Sequence, residues 1–270
     1  MNYKVVSISF LIISVIVAFS CSRNPYKTSN KIYKKQAKHY AGIISSPAVD
    51  SVINSPYWVG TTNFDLRKPN FVIIHHTAQD SCGQTLRTFT LERTKVSAHY
   101  VICKDGTVYH MLNDYLRAWQ AGVSKWGNNT DINSSSIGIE LDNNGFEYFT
   151  EPQISSLLQL LGRLKRAYNI PTANFIGHGD IAPGRKVDPN WRFPWKQLAD
   201  SSFGYWYADT TNVIVPHNFN HLQALRIIGY DLKDTAAVLS SFKRHWMQDS
   251  TIGFGEQQDK VLYMVSRQFQ

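Results

Sequence analysis

The chain has 270 residues, of which 43% are hydrophobic, and it carries 28 Lys and Arg against 20 Asp and Glu. That length allows one medium-sized domain and a small second one, and the apolar content excludes a chain that is disordered throughout. The formal net charge of +8 favours an anionic partner. Because the sequence has neither a dense run of Lys and Arg nor a nucleic-acid-binding motif, we expect no nucleic acid partner. An anionic polymer is favoured, with a generally basic surface as the alternative.

Residues 1–20 are typical of a secretory signal peptide. Lys4 precedes an apolar run over residues 5–19, and Ser20 stands directly before Cys21. The run is shorter than the roughly 20 residues that span a bilayer. A small residue before a cysteine at the end of such a run resembles the bacterial lipobox, so we expect Cys21 to be lipidated. Simple cleavage, with Cys21 as an incidental thiol, is the alternative.

The residues that follow Cys21 are at first polar and irregular, which predicts a tether. Beyond it, strand and helix patterns alternate, which favours an α/β sandwich. Thr150 opens a capping box, and the apolar residues after it recur on one face of a helix. The predicted strands cover residues 71–76, 98–103, 107–111 and 136–141, and the predicted helices are 86–93 and the one that begins after Thr150.

The pattern changes after residue 200. Three helices are predicted over residues 217–228, 235–248 and 256–267, and glycines fall in the connections, where helix C-caps are expected. By itself this pattern indicates a small helical bundle.

Two cysteines, Cys82 and Cys103, lie within the large domain. Export would make a disulfide chemically permissible. Two thiols in a large domain do not establish a disulfide framework, however, and both could be small buried hydrophobic residues. The two alternatives stay open at this point.

The pattern with the clearest chemistry lies at residues 177–189, which read G-H-G-D-I-A-P-G-R-K-V-D-P, with His75 about a hundred residues upstream at the end of an apolar run. His75, His178 and Asp188 could hold a tetrahedral Zn²⁺ and leave a fourth position open, which is the arrangement of a catalytic zinc. Lys186 precedes the carboxylate by two residues, so on an extended segment it lies on the same side. The pattern indicates hydrolysis through a charged tetrahedral intermediate.

Four segments together resemble the zinc-dependent N-acetylmuramoyl-L-alanine amidases of the amidase-2 family, relatives of the peptidoglycan recognition proteins. They read F-V-I-I-H-H-T at 71–77, V-S-A-H-Y-V-I at 96–102, S-I-G-I-E-L at 136–141, and the long motif at 177–189. The resemblance implies a central mixed β-sheet flanked by helices, followed by a small C-terminal three-helix domain of the kind found in lipoprotein amidases.

The resemblance also implies roles for individual residues. His75, His178 and Asp188 would bind one Zn²⁺ per chain, and His76 would only pack or form hydrogen bonds. Glu140 would be the general base, and Lys186 would stabilise the oxyanion. Gln120 stands where the family often has His. The residues expected to contact substrate are Trp119, His99, Asn143 and Arg185, although Arg185 could also only brace its loop.

The implied function is hydrolysis of the amide between N-acetylmuramic acid, or its anhydro form, and L-alanine in peptidoglycan. A non-catalytic lipoprotein that binds or tethers peptidoglycan is the alternative. We expect a monomer, held by its lipid at the bacterial outer membrane and facing the periplasm. The implied organisation is a signal peptide at 1–20, a lipidated tether at 21–56, a catalytic domain at 57–200 and a helical peptidoglycan-binding-like domain at 201–270.

Overall fold

A computed structural model describes residues 24–45, 55–251 and 253–270. The chain divides into two compact units, residues 1–58 and 59–270. The predicted signal peptide and Cys21 lie outside the described residues. Among the helices that are described, none combines the length and the hydropathy needed to cross a membrane.

The first unit contains one helix, α1, over Lys27–Ile44. The prediction of an irregular chain over residues 22–56 is therefore wrong for this stretch, and its role as a tether stays a prediction. The polar composition suggested an irregular chain, but Lys, Gln, Ala and Ile all tolerate helical geometry. The prolines, which would break a helix, fall outside it at Pro25 and Pro47.

The second unit is built on a five-stranded mixed sheet with the strand order β3-β2-β4-β1-β5. The strand pairs are parallel except for β2 with β3, which is antiparallel. This confirms the predicted fold class. The strands are β1 (Phe71–His76), β2 (Tyr100–Ile102), β3 (Val108–His110), β4 (Ser136–Leu141) and β5 (Phe175–Gly177).

Helices cover both faces of this sheet. The helix predicted at 86–93 begins earlier, because Ser81 accepts a hydrogen bond from the Gln84 amide and caps it. The helices of the second unit are α2 (Cys82–Thr90), α3 (Ile132–Ser135), α4 (Glu151–Tyr168), α5 (His178–Ile181), α6 (Trp195–Asp200), α7 (His221–Ile228), α8 (Thr235–Trp246) and α9 (Glu256–Ser266).

One face of the sheet packs against α4. Thr150 caps this helix as predicted, and Asn169 ends it in a left-handed conformation with φ of 52°. Its residues Leu157, Leu161 and Leu164 are fully buried in a cluster with the strands. Their spacing of three and four residues is why one helix face meets the sheet.

The C-terminal helices cover the other face. Ile73 and Ile176 from the strands lie in the same buried cluster as Leu225 of α7, Phe242 of α8 and Val261 of α9. The three predicted helices are thus present, and they belong to the same compact unit as the sheet.

The sulfurs of Cys82 and Cys103 are bonded, with their Cα atoms 5.4 Å apart. The bond joins the start of α2 to the residue that follows β2. It answers the question that the sequence left open in favour of the disulfide.

Candidate active site

The pairing of β1 with β4 creates the centre of the site. The two strands are parallel, and their register places His75 opposite Glu140. On the other side of β1, Ile74 pairs with Gly177, the last residue of β5, so that His178 follows at the same end of the sheet. The carboxyl ends of adjacent parallel strands thereby collect residues that are far apart in the sequence.

His75, His178 and Asp188 form a buried cluster that could hold a metal ion. The Nδ1 atoms of both histidines lie 3.0 Å from the same oxygen, Oδ2 of Asp188. One potential ligand atom from each of the three residues lies within 4.8 Å of the others. The predicted ligand residues are therefore brought together.

The other ring nitrogens of these histidines have protein partners. Nε2 of His75 lies against Oε1 of Gln120, whose amide nitrogen donates to Oγ of Ser136 at 2.8 Å. Nε2 of His178 lies 3.2 Å from the carbonyl oxygen of Ala121. A proton on each Nε2 would satisfy these two acceptors and would leave each Nδ1 a lone pair for a ligand.

The pKa values of these three buried groups are shifted in different directions. Burial, followed by the nearby charge of His75, lowers the pKa of His178 to about 4. Burial raises the pKa of Asp188, but hydrogen bonds and attraction from His178 and His75 overcome burial and lower this pKa well below its usual range. At His75, burial opposes protonation but Glu140 and Asp188 raise the pKa overall. A bound cation would satisfy all three groups at once.

Glu140 lies beside the cluster in a state suited to proton transfer. Its Oε1 is 4.0 Å from Nδ1 of His75. Burial raises the pKa of Glu140 to about 7, against the opposing attraction of His75. Within the described chain, Oε2 is buried and has no hydrogen-bond partner. A carboxyl group near neutrality with one free oxygen can accept a proton from a reacting group.

Lys186 lies close enough to lower the pKa of Glu140 as a minor contribution. Its amide nitrogen donates to the carbonyl of Ala182 at 3.0 Å, which fixes the backbone of the loop. Its side chain is partly exposed. The structure thus places a cation near the base and the metal-ligating cluster, and its action on an oxyanion stays a prediction.

Of the four predicted substrate contacts, Trp119 and Arg185 are exposed, and the exposed fraction of Trp119 is 50%. Its backbone amide donates to Oγ of Ser97 at 2.9 Å, and its neighbour Gln120 touches His75. Trp119 is therefore a surface beside the site on which a sugar or peptide could pack.

The structure corrects the expectation for His99, which has an exposed fraction of 0%. Its Nδ1 accepts from the amide of Gly138 at 3.1 Å, and its Nε2 lies 3.0 Å from the carbonyl of Leu116. Nδ1 is thus bonded to strand β4 and Nε2 to a loop carbonyl, so the buried His99 ring supports the fold and offers no surface to a substrate. Spacing alone could not distinguish these two roles.

Asn143 and Arg185 are also engaged by the protein. Asn143 is buried and accepts hydrogen bonds from the amide of Gly145 and the side chain of Asn190. The guanidinium of Arg185 donates to the carbonyls of Ala121 and Val123 at 2.6 and 2.9 Å. Both brace loops around the site, which fits the bracing alternative for Arg185, and a substrate contact by Asn143 stays a prediction.

Two other residues lie close to the metal-ligating cluster, one predicted and one not. His76 accepts a hydrogen bond at Nδ1 from the amide of Asn190 at 3.1 Å, so it forms a hydrogen bond within the protein, as predicted. Asn133 was not anticipated. Its Oδ1 accepts from the amides of Gln120 and Ala121, at 3.1 and 2.9 Å. Asn133 thereby fixes the backbone of Gln120 and Ala121, the two residues whose oxygens face Nε2 of the histidine ligands.

A buried polar network connects the ligand loop to the C-terminal helices. Asp180 accepts from Tyr230 at 2.8 Å and lies 2.6 Å from Nδ1 of His245. Ser241 donates to the carbonyl of Gly179, the residue after His178. No local sequence signal could have revealed this network, because its members lie about 50 to 65 residues apart.

A family model for N-acetylmuramoyl-L-alanine amidases matches residues 65–191. The chain is 32% identical over 206 residues to the N-acetylmuramoyl-L-alanine amidase AmiD of Escherichia coli, covering 65% of this chain and 74% of that protein. It is 37% identical over 108 residues to the 1,6-anhydro-N-acetylmuramyl-L-alanine amidase AmpD of Haemophilus influenzae, covering 40% of this chain and 59% of that protein.

Solved structures agree with these sequence matches. The structure of E. coli AmiD with anhydro-N-acetylmuramic acid-L-Ala-D-gamma-Glu-L-Lys superposes with a TM-score of 0.66 at 26% identity, covering 77% of this chain and 93% of that one. AmpDH3 of Pseudomonas aeruginosa, in complex with an anhydromuramic pentapeptide, gives a TM-score of 0.68 at 27% identity, covering 80% and 98%. On this evidence, the chain belongs to the amidase-2 family of N-acetylmuramoyl-L-alanine amidases.

Proposed function

We propose that this protein is a zinc-dependent amidase that hydrolyses the bond between N-acetylmuramic acid, or its 1,6-anhydro form, and L-alanine in peptidoglycan. The observation that carries the zinc dependence is the convergence of the two Nδ1 atoms on one oxygen of Asp188. Imidazole and carboxylate ligands suit zinc, and three protein ligands leave a position open for substrate. A zinc ion held there would supply a Lewis acid that polarises the substrate carbonyl and activates water near neutral pH.

The protein's own residues perform the remaining work. Gln120 and Ala121 hold the two histidine rings through Nε2, so that the ligand atoms need no rearrangement. Glu140 takes the proton from the attacking water at its free Oε2 and returns it to the leaving nitrogen of L-alanine. Lys186 stabilises the negative charge that develops on the carbonyl oxygen of the scissile amide. The amide bond breaks to give a free muramoyl carboxylate and a peptide with a free amino terminus.

The anhydro substrate is supported by the relatives. AmiD and AmpDH3 were solved with anhydromuramyl peptides, and AmpD is named for its 1,6-anhydro substrate. Trp119 offers an exposed ring beside Gln120 on which the sugar or stem peptide can pack. The non-catalytic alternative is disfavoured because the metal-ligating cluster, Glu140 and Lys186 are all present.

Digestion of anhydro-muropeptides and of purified sacculi side by side, with mass analysis of the products, tests this function. We expect stem peptides that begin with a free L-alanine from one or both substrates. Products cleaved within the stem peptide or the glycan, or no product from either substrate, would contradict the proposal.

We further propose that the protein is a monomer, anchored by lipidated Cys21 at the outer membrane and facing the periplasm. The apolar run before Ser20 and Cys21 supports this placement. A Cys21→Ala protein should leave the membrane fraction while its activity on isolated peptidoglycan is retained. Incorporation of labelled palmitate into the Cys21→Ala protein would show that acylation occurs elsewhere.

A further inference from the structure

The helix of the first unit, α1, has an unusual charge distribution. It reads K-T-S-N-K-I-Y-K-K-Q-A-K-H-Y-A-G-I-I over Lys27–Ile44, with five lysines. Neither this helix nor its described flanks, residues 24–26 and 45, contain an Asp or Glu. In an ordinary exposed helix, acidic residues are interspersed with lysines and form pairs with them. The lysines of α1 have no such neighbours on their own helix.

The lysines all lie on one side of the helix. At about 100° per residue, they occupy an arc of roughly 100°. The opposite side carries aromatic and branched aliphatic residues over an arc of about 120°, with Ser29 and Gln36 between them. The lysine face comprises Lys27, Lys31, Lys34, Lys35 and Lys38, and the apolar face comprises Ile32, Tyr33, Tyr40, Ile43 and Ile44.

The apolar face is open. No residue of α1 is buried, and the exposed fractions of Ile32, Tyr40, Ile43 and Ile44 are 51%, 52%, 55% and 74%. A helix of this length gains most of its stability from packing of its apolar face. The face therefore requires a partner that is apolar, while the lysines require one that is anionic.

A bilayer that contains anionic phospholipids meets both requirements. The apolar residues enter the boundary between headgroups and acyl chains, and the lysine stems extend along the helix so that their ammonium groups reach the lipid phosphates. An anionic wall polymer would use only the lysine face. A protein groove would use the apolar face but give no reason for five lysines on the opposite side.

We propose that α1 is a membrane-surface helix, which lies parallel to a bilayer and binds anionic phospholipid headgroups. The proposal rests on the helix and not on the lipidation of Cys21. The two features are compatible, because Lys27 follows Cys21 by six residues, which span at most about 20 Å when extended.

The first test uses a protein that begins at Ser22, which keeps every described residue and lacks the site of lipidation. Sedimentation with vesicles of phosphatidylglycerol and phosphatidylethanolamine measures its partition coefficient, with phosphatidylcholine vesicles as the neutral reference. The lysine-face variant replaces Lys31, Lys34 and Lys38 by glutamine. Each lysine near an anionic surface contributes about fivefold to binding, so this variant should bind roughly a hundredfold more weakly.

A matched control makes the same change in net charge in the other unit, by replacing the exposed Lys68, Lys95 and Lys233 with glutamine. Its partition coefficient should fall by less than about fivefold in total. Equal losses in both variants would show that only the overall charge matters and would overturn the proposal. So would a protein that sediments with purified sacculi but with neither type of vesicle, since its partner would then be the wall polymer.

The second test asks whether the apolar face enters the bilayer. In the protein that begins at Ser22, the remaining cysteines are bonded to each other, so an introduced cysteine is a unique thiol for an environment-sensitive fluorophore. The label on Ile43→Cys should shift to shorter wavelength on anionic vesicles. The label on Lys38→Cys, on the opposite face, should shift much less. Equal shifts at both positions, or none at either, would contradict a helix that lies with its apolar face in the membrane.

Discussion

Replacing His245 by alanine should destabilise the second unit and disturb the metal-ligating loop, although His245 contacts none of the three ligands directly. Its Nδ1 lies 2.6 Å from Oδ2 of Asp180, and its ring stacks on Trp195 at 3.8 Å. Asp180 follows His178 by two residues and accepts from the amide of Gly177 at the same oxygen. The substitution therefore removes a partner from the segment that carries a metal ligand.

The magnitude follows from burial. Burial alone would raise the pKa of Asp180, but attraction and hydrogen bonding from His245 and other partners lower it, so the carboxylate is ionised at neutral pH. Removing one partner of a buried pair costs about 3–5 kcal/mol of unfolding free energy. For a unit of this size each kcal/mol lowers Tm by about 2–4 °C, so a fall of roughly 6–20 °C is expected.

His221→Ala is the matched control, because His221 lies 2.7 Å from Asp259 in the same C-terminal region, but on the surface. Its loss should cost at most about 1 kcal/mol. His245→Asn, whose amide can donate from nearly the position of Nδ1, should recover part of the loss. Thermal unfolding and zinc titration of the three variants are the assays. Equal stability of His245→Ala and His221→Ala, with unchanged zinc affinity, would refute the reasoning.

Two further predictions concern protons. Glu140→Gln should retain the metal and lose turnover by roughly 10²–10⁴-fold, because the amide cannot accept a proton; loss of the metal instead would make Glu140 a ligand. His99 is held neutral, since burial lowers its pKa to about 4, against the hydrogen bond to Leu116. Its unfolded form binds a proton below about pH 6.5, so unfolding free energy should be lost as the pH falls from about 6.5 to 4. Over this pH range the unmodified protein should lose about 3 kcal/mol more unfolding free energy than the His99→Gln variant, as measured by denaturant titration. Parallel pH profiles of the two proteins would show that His99 is not the cause.

The parts of the fold that could be predicted are those dictated by local pattern. Strands β1 and β4 have the predicted bounds: β1 begins with a continuous apolar run, β4 alternates apolar residues with Ser, Gly and Glu, and both are almost wholly buried. The motif at residues 177–189 predicts the ligand cluster because its His and Asp lie on a single loop. His75 and Glu140 occupy corresponding positions near the ends of β1 and β4, so they become partners when the two strands pair in parallel.

The parts that could not be predicted depend on contacts between distant segments. Gln120 differs from the residue that the family often has, and its hydrogen bond to His75 appears only when the strands are placed. The burial of His99 depends on Leu116 and Gly138, which belong to other segments. The segment that forms α1 is mostly polar, and its helical periodicity lies mainly in the spacing of its lysines. A search for apolar periodicity alone therefore does not reveal this helix.

Removal and return of the metal tests the central claim most directly. The purified protein is stripped with a chelator, its zinc content is measured, and cleavage of an anhydro-muropeptide is followed by mass analysis as zinc is added back. The account predicts no cleavage without metal and full activity at one zinc per chain, bound through His75, His178 and Asp188. Full activity in a metal-free protein would contradict it.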